Sequence, residues 1–318
     1  MSAPGRVIHA DNLSVLPTLA DGSFTIVYLD PPFNTGRQQV RASSKSVRSE
    51  TGPITGFKGQ RYERIRGDLL RYDDRFDDYW GFLEPRLVEA WRLLADDGTL
   101  YLHLDYREAH YAKVLLDALF GRESFLNEII WAYDYGARTK KRWPTKHDTI
   151  LVYVKNPTGY HFDSTAVDRE PYMAPGLVTP EKAELGKLPT DVWWHTIVSP
   201  TGREKTGYPT QKPEGILRRI IQASSREGDW VLDFFAGSGT TGAVAAALGR
   251  RFVLVDQNPE AIAVMKARFD GIPGIEFEVP GVEVASPASS VAAPSIAERS
   301  IARGVSREDP VESTVRAL

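Results

Sequence analysis

The chain contains no cysteine and only three methionines among its 318 residues. Without cysteine it can form neither a disulfide framework nor a thiolate metal site, and we expect no metal centre. No stretch approaches the roughly 18 consecutive apolar residues of a membrane-spanning helix, and no charged and then apolar leader opens the sequence. With 42% apolar residues, the chain can bury one large core and a smaller module.

The net charge is only −3, which taken alone argues against a polyanionic partner. The positive charge is, however, concentrated in two stretches. Residues 37–66 hold eight cations against two acids, and residues 136–155 hold six against one. Such clusters suit contacts with phosphates, although charge runs often form solvated faces instead. The candidate phosphate contacts are Arg37, Arg41, Lys45, Arg138, Lys140, Lys141 and Arg142.

An apolar run, Phe24–Leu29, ends abruptly at Asp30, Pro31, Pro32 and Phe33. Proline fixes φ and has no N–H, so the end of this predicted strand offers two rigid acceptors, the Asp30 carboxylate and the Pro31 carbonyl. An exocyclic amino group on a nucleobase has two N–H donors that could satisfy both. The aromatic ring of Phe33 could stack on the base. The alternative interpretation is an ordinary turn whose carboxylate caps a helix.

A second motif follows the predicted strand Trp230–Phe235. The glycine loop Ala236–Gly242 leads into a small-residue helix, Ala243–Leu248, and the next strand, Arg251–Val255, ends at Asp256. Glycines allow a tight turn and a close approach of the backbone to a nucleotide, and the acid after the next strand suits a ribose diol. Taken alone, this pattern is equally typical of nicotinamide and flavin enzymes.

Together, the two motifs resemble those of the amino-methylating DNA methyltransferases that use S-adenosylmethionine. The catalytic motif of that family matches Asp30–Phe33, and its cofactor motif matches Phe235–Gly239. Matching pieces also occur at residues 10–12, 146–153 and 208–213. Because the catalytic motif comes first, the chain resembles the circularly permuted β group. The resemblance covers about residues 5 to 272.

The resemblance implies that Asp30, Pro31, Pro32 and Phe33 are the catalytic residues. It also implies a cofactor site formed by Asp11, Asp30, Thr210, Lys212, Asp233, Phe235, Ala236, Gly237, Ser238, Gly239, Thr240, Thr241 and Asp256.

Individual roles within that site follow from the same resemblance. Asp11 matches an acid that contacts the cofactor adenine, although Ala10 stands where the family more often has glycine. Asp256 matches the ribose-binding acid, and Thr210 and Lys212 match a segment that closes over the methionine end. Asp11 could instead be a helix N-cap, and Lys212 could be an exposed surface lysine.

The implied reaction is methyl transfer to the N6 of adenine in duplex DNA after the base has flipped out of the helix. Adenine is favoured over N4 of cytosine because the motif begins with Asp30, where the cytosine enzymes more often have serine. Methylation at carbon 5 of cytosine would need a cysteine nucleophile, which this chain lacks. Two rivals stay open: a nicotinamide oxidoreductase, which leaves Asp30–Phe33 unexplained, and a DNA-binding protein without catalysis.

The expected partner is double-stranded DNA, with no membrane association. We expect a cytoplasmic, nucleoid-associated protein of a prokaryote or phage. Homodimers are usual in the resembling group, but no self-complementary surface is visible in the sequence. A companion restriction enzyme and an independent regulatory role are both left open, and the recognised sequence cannot be read from one chain.

The predicted fold is α/β: a doubly wound, Rossmann-like, seven-stranded methyltransferase sheet, circularly permuted, with a small target-recognition insertion. The predicted strands are Arg6–Ala10, Thr25–Asp30, Gly98–Asp105, Asn127–Tyr133, Thr149–Lys155, Trp230–Phe235 and Arg251–Val255. Predicted helices at Tyr79–Leu94 and Tyr111–Phe120 lie between them. We expect Trp230–Phe235 and Thr25–Asp30 to lie side by side at the centre, with their carboxyl ends at one crevice.

The predicted organisation divides the chain into six segments. Residues 1–35 and 79–156 form the catalytic half, 36–78 a basic mobile loop, 157–206 the target-recognition region, 207–273 the cofactor-binding half, and 274–318 a disordered tail. Within the recognition region, Trp193 and Trp194 either anchor a small module or contact DNA.

Overall fold

The computed structural model describes residues 4–35, 76, 78–136, 138–199 and 201–280, and gives the backbone alone for residues 37–48, 54–55 and 61–74. The strands are β1 Gly5–His9, β2 Phe24–Leu29, β3 Arg37–Arg48, β4 Ile54–Thr55, β5 Arg61–Asp74, β6 Leu94–Leu104, β7 Phe125–Ala132, β8 His147–Val154, β9 Val192–Trp194, β10 Trp230–Asp233, β11 Arg251–Asp256 and β12 Ile275–Glu278. The helices are α1 Asn12–Val15, α2 Tyr79–Leu93, α3 Ala109–Phe120, α4 Pro180–Leu185, α5 Glu214–Ser224, α6 Thr240–Ala247 and α7 Pro259–Arg268.

Within the described residues, nine strands form one sheet in the order β12-β1-β11-β10-β2-β6-β8-β7-β9. The strands from β12 to β6 run parallel to one another, whereas β8 is antiparallel to both β6 and β7. All six residues of β2 are buried, as expected for a central parallel strand covered on both faces. The doubly wound α/β prediction is confirmed, and β10 and β2 are neighbours at the centre as predicted.

The sheet has two edge strands beyond the seven that the sequence indicates. β9 pairs with β7 at one edge, and β12 pairs with β1 at the other. The second edge corrects the boundary of the predicted disordered tail, because Ile275–Glu278 is a strand and Glu278 forms an ion pair with Arg6. Four residues give too short a pattern to be distinguished from the polar segment after them. The remainder of the predicted tail, residues 281–318, lies outside the described residues.

The predicted basic loop also contains regular structure. β3 and β5 pair in an antiparallel hairpin that β4 extends to three strands. The prediction of a loop was wrong for the backbone of these strands, because frequent arginine and lysine obscure the apolar alternation that marks a strand. The predicted mobility stays a prediction. The side chains of Arg37, Arg41 and Lys45 lie outside the described residues, so their predicted phosphate contacts stay predictions.

The predicted target-recognition region contains α4 and β9. Its two tryptophans differ in exposure: the side chain of Trp193 is buried, and its Nε1 donates to the carbonyl of Thr190 at 2.7 Å, whereas Trp194 is 69% exposed. Trp193 therefore anchors this module to the sheet edge. Trp194 is left available for contacts with another molecule.

The described part of the chain contains no helix that is long and apolar enough to cross a membrane.

Candidate active site

A cavity of about 490 Å³ opens at the carboxyl ends of β1, β11, β10 and β2. Ligands of open α/β sheets bind at this edge. The two sequence motifs meet here although they are about 200 residues apart. The predicted site residues that line the cavity are Asp11, Asp30, Pro31, Pro32, Phe33, Thr210, Lys212, Asp233, Phe235, Ala236, Gly237, Ser238, Thr240, Thr241 and Asp256.

Gly239 is the one predicted site residue that does not line this cavity. It has a φ of +73°, and a Cβ added there would lie 2.7 Å from Cγ of Met265. Its role is therefore to bring the start of α6 close to α7. Gly237, with a φ of +50°, faces Tyr208, whose ring would lie 3.1 Å from an added Cβ. Both positions need glycine for conformation as well as for space.

Asp256, at the end of β11, fixes the glycine loop. Its two carboxylate oxygens accept from the backbone N–H groups of Gly237 and Asn258, each at 2.8 Å. Burial raises the pKa of Asp256, and these two hydrogen bonds oppose the increase. The carboxylate keeps unused lone pairs toward the cavity, so the same side chain can hold the loop and accept from a ligand hydroxyl.

Asp233, at the end of β10, is almost completely buried. Its oxygens accept from the Thr241 hydroxyl at 2.6 Å and from the Phe235 N–H at 3.0 Å. Burial, supported by the nearby charges of Asp30 and Asp256, raises the pKa of Asp233 to about 7, against these two hydrogen bonds. Asp233 therefore ties the strand to α6 from beneath the loop.

Asp11 occupies the N-cap position of α1, but its side chain makes no capping hydrogen bond. Its carboxylate instead accepts from Nη2 of Arg86 at 3.2 Å, while Nε of Arg86 donates to Oδ1 of Asn12 at 2.7 Å. Asn12 in turn donates to the carbonyl of Phe234 at 2.9 Å. The Arg86 guanidinium also stacks on the Phe82 ring at 4.0 Å.

Arg86, which was not among the predicted site residues, is buried and lines the cavity. An arginine on the otherwise apolar face of α2, with Leu83, Leu87 and Ala90, was the available signal. Its charge compensates Asp11 and orients that carboxylate at one end of the cavity.

Asp30 and Lys212 form an ion pair inside the cavity. Nζ of Lys212 lies 2.5 Å from Oδ2 of Asp30, and both side chains are largely buried, at 12% and 15% exposure. The same ammonium group lies 4.8 Å from the centre of the Phe33 ring. Lys212 is thus not the exposed surface lysine of the alternative interpretation.

The other oxygen of Asp30 is in a different situation. Oδ1 is buried and has no hydrogen-bond partner among the described residues. A buried carboxylate oxygen without a donor costs free energy unless a ligand supplies one. Asp30, which lines the cavity, therefore has an acceptor for which the described residues supply no donor.

Arg138, Lys140, Lys141 and Arg142 lie on an exposed connection between β7 and β8. Nη2 of Arg142 donates to the Tyr106 hydroxyl at 3.2 Å. Tyr106 lines a second cavity of about 550 Å³, which shares Tyr208, Thr210 and Lys212 with the first. Arg142 is therefore near the candidate site in space, and the other three cations lie on the same connection.

The comparisons with known proteins agree with this arrangement. Residues 24–267 match the N6/N4 family described as DNA methylase. The chain is 32% identical over 272 residues to the DNA adenine methyltransferase YhdJ of Escherichia coli K12, covering 83% of this chain and 82% of that protein. This chain belongs to the N6/N4 DNA methylase family.

Solved structures support the fold of this methyltransferase. The M1.HpyAVI complex with S-adenosylmethionine aligns with a TM-score of 0.53 at 20% identity, covering 84% of this chain and 99% of that one. The cytosine-N4-specific PvuII DNA methyltransferase aligns with a TM-score of 0.58 at 14% identity, covering 86% and 89%. Family membership decides against the nicotinamide oxidoreductase among the rival interpretations.

The buried carboxylate of Asp233 should make the stability of the methyltransferase depend on pH. Because its folded pKa is above its unfolded value, the folded state holds the proton more tightly, and stability falls as pH rises from about 4 to about 7. Asp233→Asn keeps the shape and should remove about 2 to 4 kcal/mol of that decline in the free energy of unfolding. Urea unfolding at several pH values measures this. Asp270→Asn, at an exposed position, is the control, and parallel profiles for wild type and Asp233→Asn would contradict the expectation.

The Asp30–Lys212 pair should appear as coupling in a double-mutant cycle. Asp30→Asn and Lys212→Met each leave one largely buried charge without its partner, whereas the double variant leaves neither. We expect the destabilisation of the double variant to be smaller than the sum of the singles by about 1 to 3 kcal/mol. Chemical unfolding of the four proteins measures the coupling. Additive effects would mean that the two charges do not interact in solution.

Proposed function

We propose that this methyltransferase transfers a methyl group from S-adenosylmethionine to the exocyclic N6 of adenine in double-stranded DNA, after the base has flipped out of the helix. The observation that carries the proposal is the unpartnered, buried Oδ1 of Asp30. Asp30 lines the cavity in which the predicted cofactor residues converge, so a second ligand that enters beside the cofactor would bring a donor to this oxygen.

The cavity suits the proposed cofactor in chemistry and in space. Asp256 would accept from the ribose hydroxyls, and Asp11, held by Arg86, would accept from the adenine amino group. The tight turn at Gly237 allows the backbone of the loop to approach the ligand closely. When bound, S-adenosylmethionine supplies an electrophilic methyl group on a sulfonium.

The remaining work falls on the catalytic motif. Asp30 Oδ1 and the Pro31 carbonyl accept the two N–H groups of the target base, which holds the nitrogen lone pair toward the methyl donor. Phe33 stacks on the ring and fixes its plane. The nitrogen would form a bond to the methyl carbon as the sulfur–methyl bond breaks, which leaves S-adenosylhomocysteine. The nitrogen would also lose one proton, for which the Asp30 carboxylate is the adjacent acceptor. Most of the rate increase would come from this positioning.

Lys212 has two roles in this proposal. In the protein without ligands its ammonium lies on Asp30 and near the face of Phe33, the two groups that the base would use. The target base therefore displaces it. The released cation can then pair with the methionine carboxylate of the cofactor, in keeping with the segment's predicted closure over that end.

Adenine is proposed as the target base on two grounds. The catalytic motif begins with aspartate, which resembles the adenine enzymes, and the relative YhdJ is named as a DNA adenine methyltransferase. The alternative is N4 of cytosine, since the PvuII enzyme, with the same fold, is cytosine-N4-specific.

Duplex DNA would be held on its phosphates by the exposed cations of the β7–β8 connection. Arg138, Lys140, Lys141 and Arg142 are exposed there, and the neighbouring Trp143 is 94% exposed. Cations interleaved with an exposed aromatic ring suit a nucleic-acid backbone and its bases. Arg37, Arg41 and Lys45 of β3 are proposed to extend the same contact.

The product of the reaction distinguishes the two bases. We expect purified protein, incubated with unmethylated genomic DNA and S-adenosylmethionine carrying a deuterated methyl group, to give labelled N6-methyladenine. Nucleoside mass spectrometry of the digested DNA measures it. Labelled N4-methylcytosine would replace adenine by cytosine in the proposal, and the absence of any labelled nucleoside would contradict DNA methylation by this chain.

Removing the Asp30 carboxylate should separate binding from chemistry. We expect Asp30→Ala to bind S-adenosylmethionine with an affinity near that of wild type, yet to lose methyl transfer by about a hundredfold or more, because the amino group loses its acceptor. Calorimetric titration and single-turnover labelling give the two quantities. Asp270→Ala, a substitution at an exposed position, serves as the control. Comparable turnover by Asp30→Ala would refute the assigned role.

A further inference from the structure

A chain of hydrogen-bonded polar side chains, three of them buried and one partly buried, lies next to Phe33 of the catalytic motif. The Tyr28 hydroxyl lies 2.8 Å from Nδ1 of His103, and Nε2 of His103 lies 3.3 Å from Oδ2 of Asp148. The Tyr133 hydroxyl donates to the other oxygen of Asp148 at 3.0 Å. Tyr28 lies on β2, His103 on β6 and Asp148 on β8, and Tyr133 follows the last residue of β7. We call them the polar chain.

The hydrogen bonds of the polar chain all have a defined direction. Burial, reinforced by nearby carboxylates, raises the pKa of Tyr28 well above its ordinary value, so its hydroxyl remains a donor. Burial raises the pKa of Asp148, but the hydrogen bond from His103 and neighbouring charges outweigh it and leave the pKa lowered. The ionised carboxylate only accepts. A neutral His103 then accepts at Nδ1 and donates at Nε2, and the two hydrogen bonds hold the orientation of its ring.

The fixed ring of His103 packs against the catalytic motif. His103 is fully buried, and its ring centre lies 5.9 Å from that of Phe33 with the planes tilted by 39°. On another side it meets Trp131 at 5.6 Å, edge to face. The imidazole is thus held between hydrogen bonds at both nitrogens and two aromatic rings. Phe33, which is only partly buried, rests on it.

The polar chain also joins the two cavities. Tyr28 lines the first cavity, and Asp148 and Tyr133 line the second. A buried polar network costs desolvation that an apolar core would avoid, and the described hydrogen bonds compensate that cost only while all four groups keep their places. Stability alone would be served as well by apolar side chains, so the placement of the network under Phe33 points to a role in the site.

We propose that His103, oriented by Tyr28 and Asp148, is a positioning residue that sets the ring of Phe33 at the height and tilt at which the target base stacks. The inference rests on the proposed function and adds a specific task for residues outside the catalytic motif. Loss of the orienting hydrogen bonds lets His103 rotate, and the stacking surface of Phe33 then moves with it. Displacements of about 1 Å at a reacting group can cost on the order of a hundredfold in rate.

The chain offers a matched pair of variants to test this. Tyr28 and Tyr101 are register partners on neighbouring strands, and both are buried. The hydroxyl of Tyr28 bonds His103, whereas that of Tyr101 bonds Ser224 at 2.6 Å, without a link to the polar chain. Tyr28→Phe and Tyr101→Phe each remove one buried hydroxyl, but only the first releases His103.

We expect Tyr28→Phe to lower the single-turnover rate of methyl transfer to genomic DNA by about ten- to a hundredfold. Its affinity for S-adenosylmethionine should stay within about threefold of wild type. Tyr101→Phe should lower the melting temperature to a similar extent and keep the wild-type rate. Rates are measured well below both melting temperatures, so that unfolding does not contribute.

A second comparison tests His103 itself. His103→Gln keeps a donor that can reach Asp148, and His103→Leu keeps neither hydrogen bond, so we expect the glutamine variant to recover part of the rate that the leucine variant loses. Equal rates of methyl transfer for Tyr28→Phe and Tyr101→Phe would overturn the positioning role of His103. In that case, DNA methylation by the wild-type protein would still support the proposed function. A wild-type protein that methylates no DNA would overturn both.

Discussion

The contact between Asp30 and Lys212 joins the two halves of the site. Asp30 follows β2, and Lys212 lies in the segment before α5, so the ion pair connects parts of the chain 182 residues apart. The backbone carbonyl of Lys212 also accepts from the Thr240 hydroxyl at 3.1 Å, at the start of α6. One lysine thus contacts the catalytic motif through its side chain and the glycine loop through its backbone. Movement of either half would change the geometry of the other.

Several carboxylates converge at this sheet edge, and the fold treats each of them differently. Asp256 receives two backbone N–H groups, Asp11 receives an arginine, and Asp233 is buried with a raised pKa of about 7. Of these carboxylates, Asp30 alone keeps a buried oxygen for which the described residues supply no donor. Parallel strands bring the acidic side chains at their carboxyl ends to one edge of the sheet. These like charges repel one another unless each carboxylate has its own partner. These partners distinguish the carboxylates that hold the site together from Asp30, which keeps an oxygen without a donor.

The central strands were predictable because parallel strands that are covered on both faces consist of continuous apolar runs. Such runs can be recognised in the sequence alone. The catalytic and glycine motifs were legible for a related reason, since proline and glycine constrain the backbone wherever they occur. The sequence did not identify three residues as parts of the site: Arg86, His103 and Asp148. Each lies within or beside an apolar segment, and its role depends on a partner on another element. β12 was missed because four residues carry too little periodicity to be recognised.

The sequence by itself determined the α/β class, the order of the motifs and the chemical groups that line the candidate site, because these depend on local backbone restriction and on side-chain type. The tertiary structure alone decided which carboxylate oxygen is left without a donor, which lysine approaches it and which buried ring supports Phe33. Those properties depend on distances of a few ångströms between strands that are far apart in the chain. Such distances are set by packing of the whole sheet, and no short segment contains them.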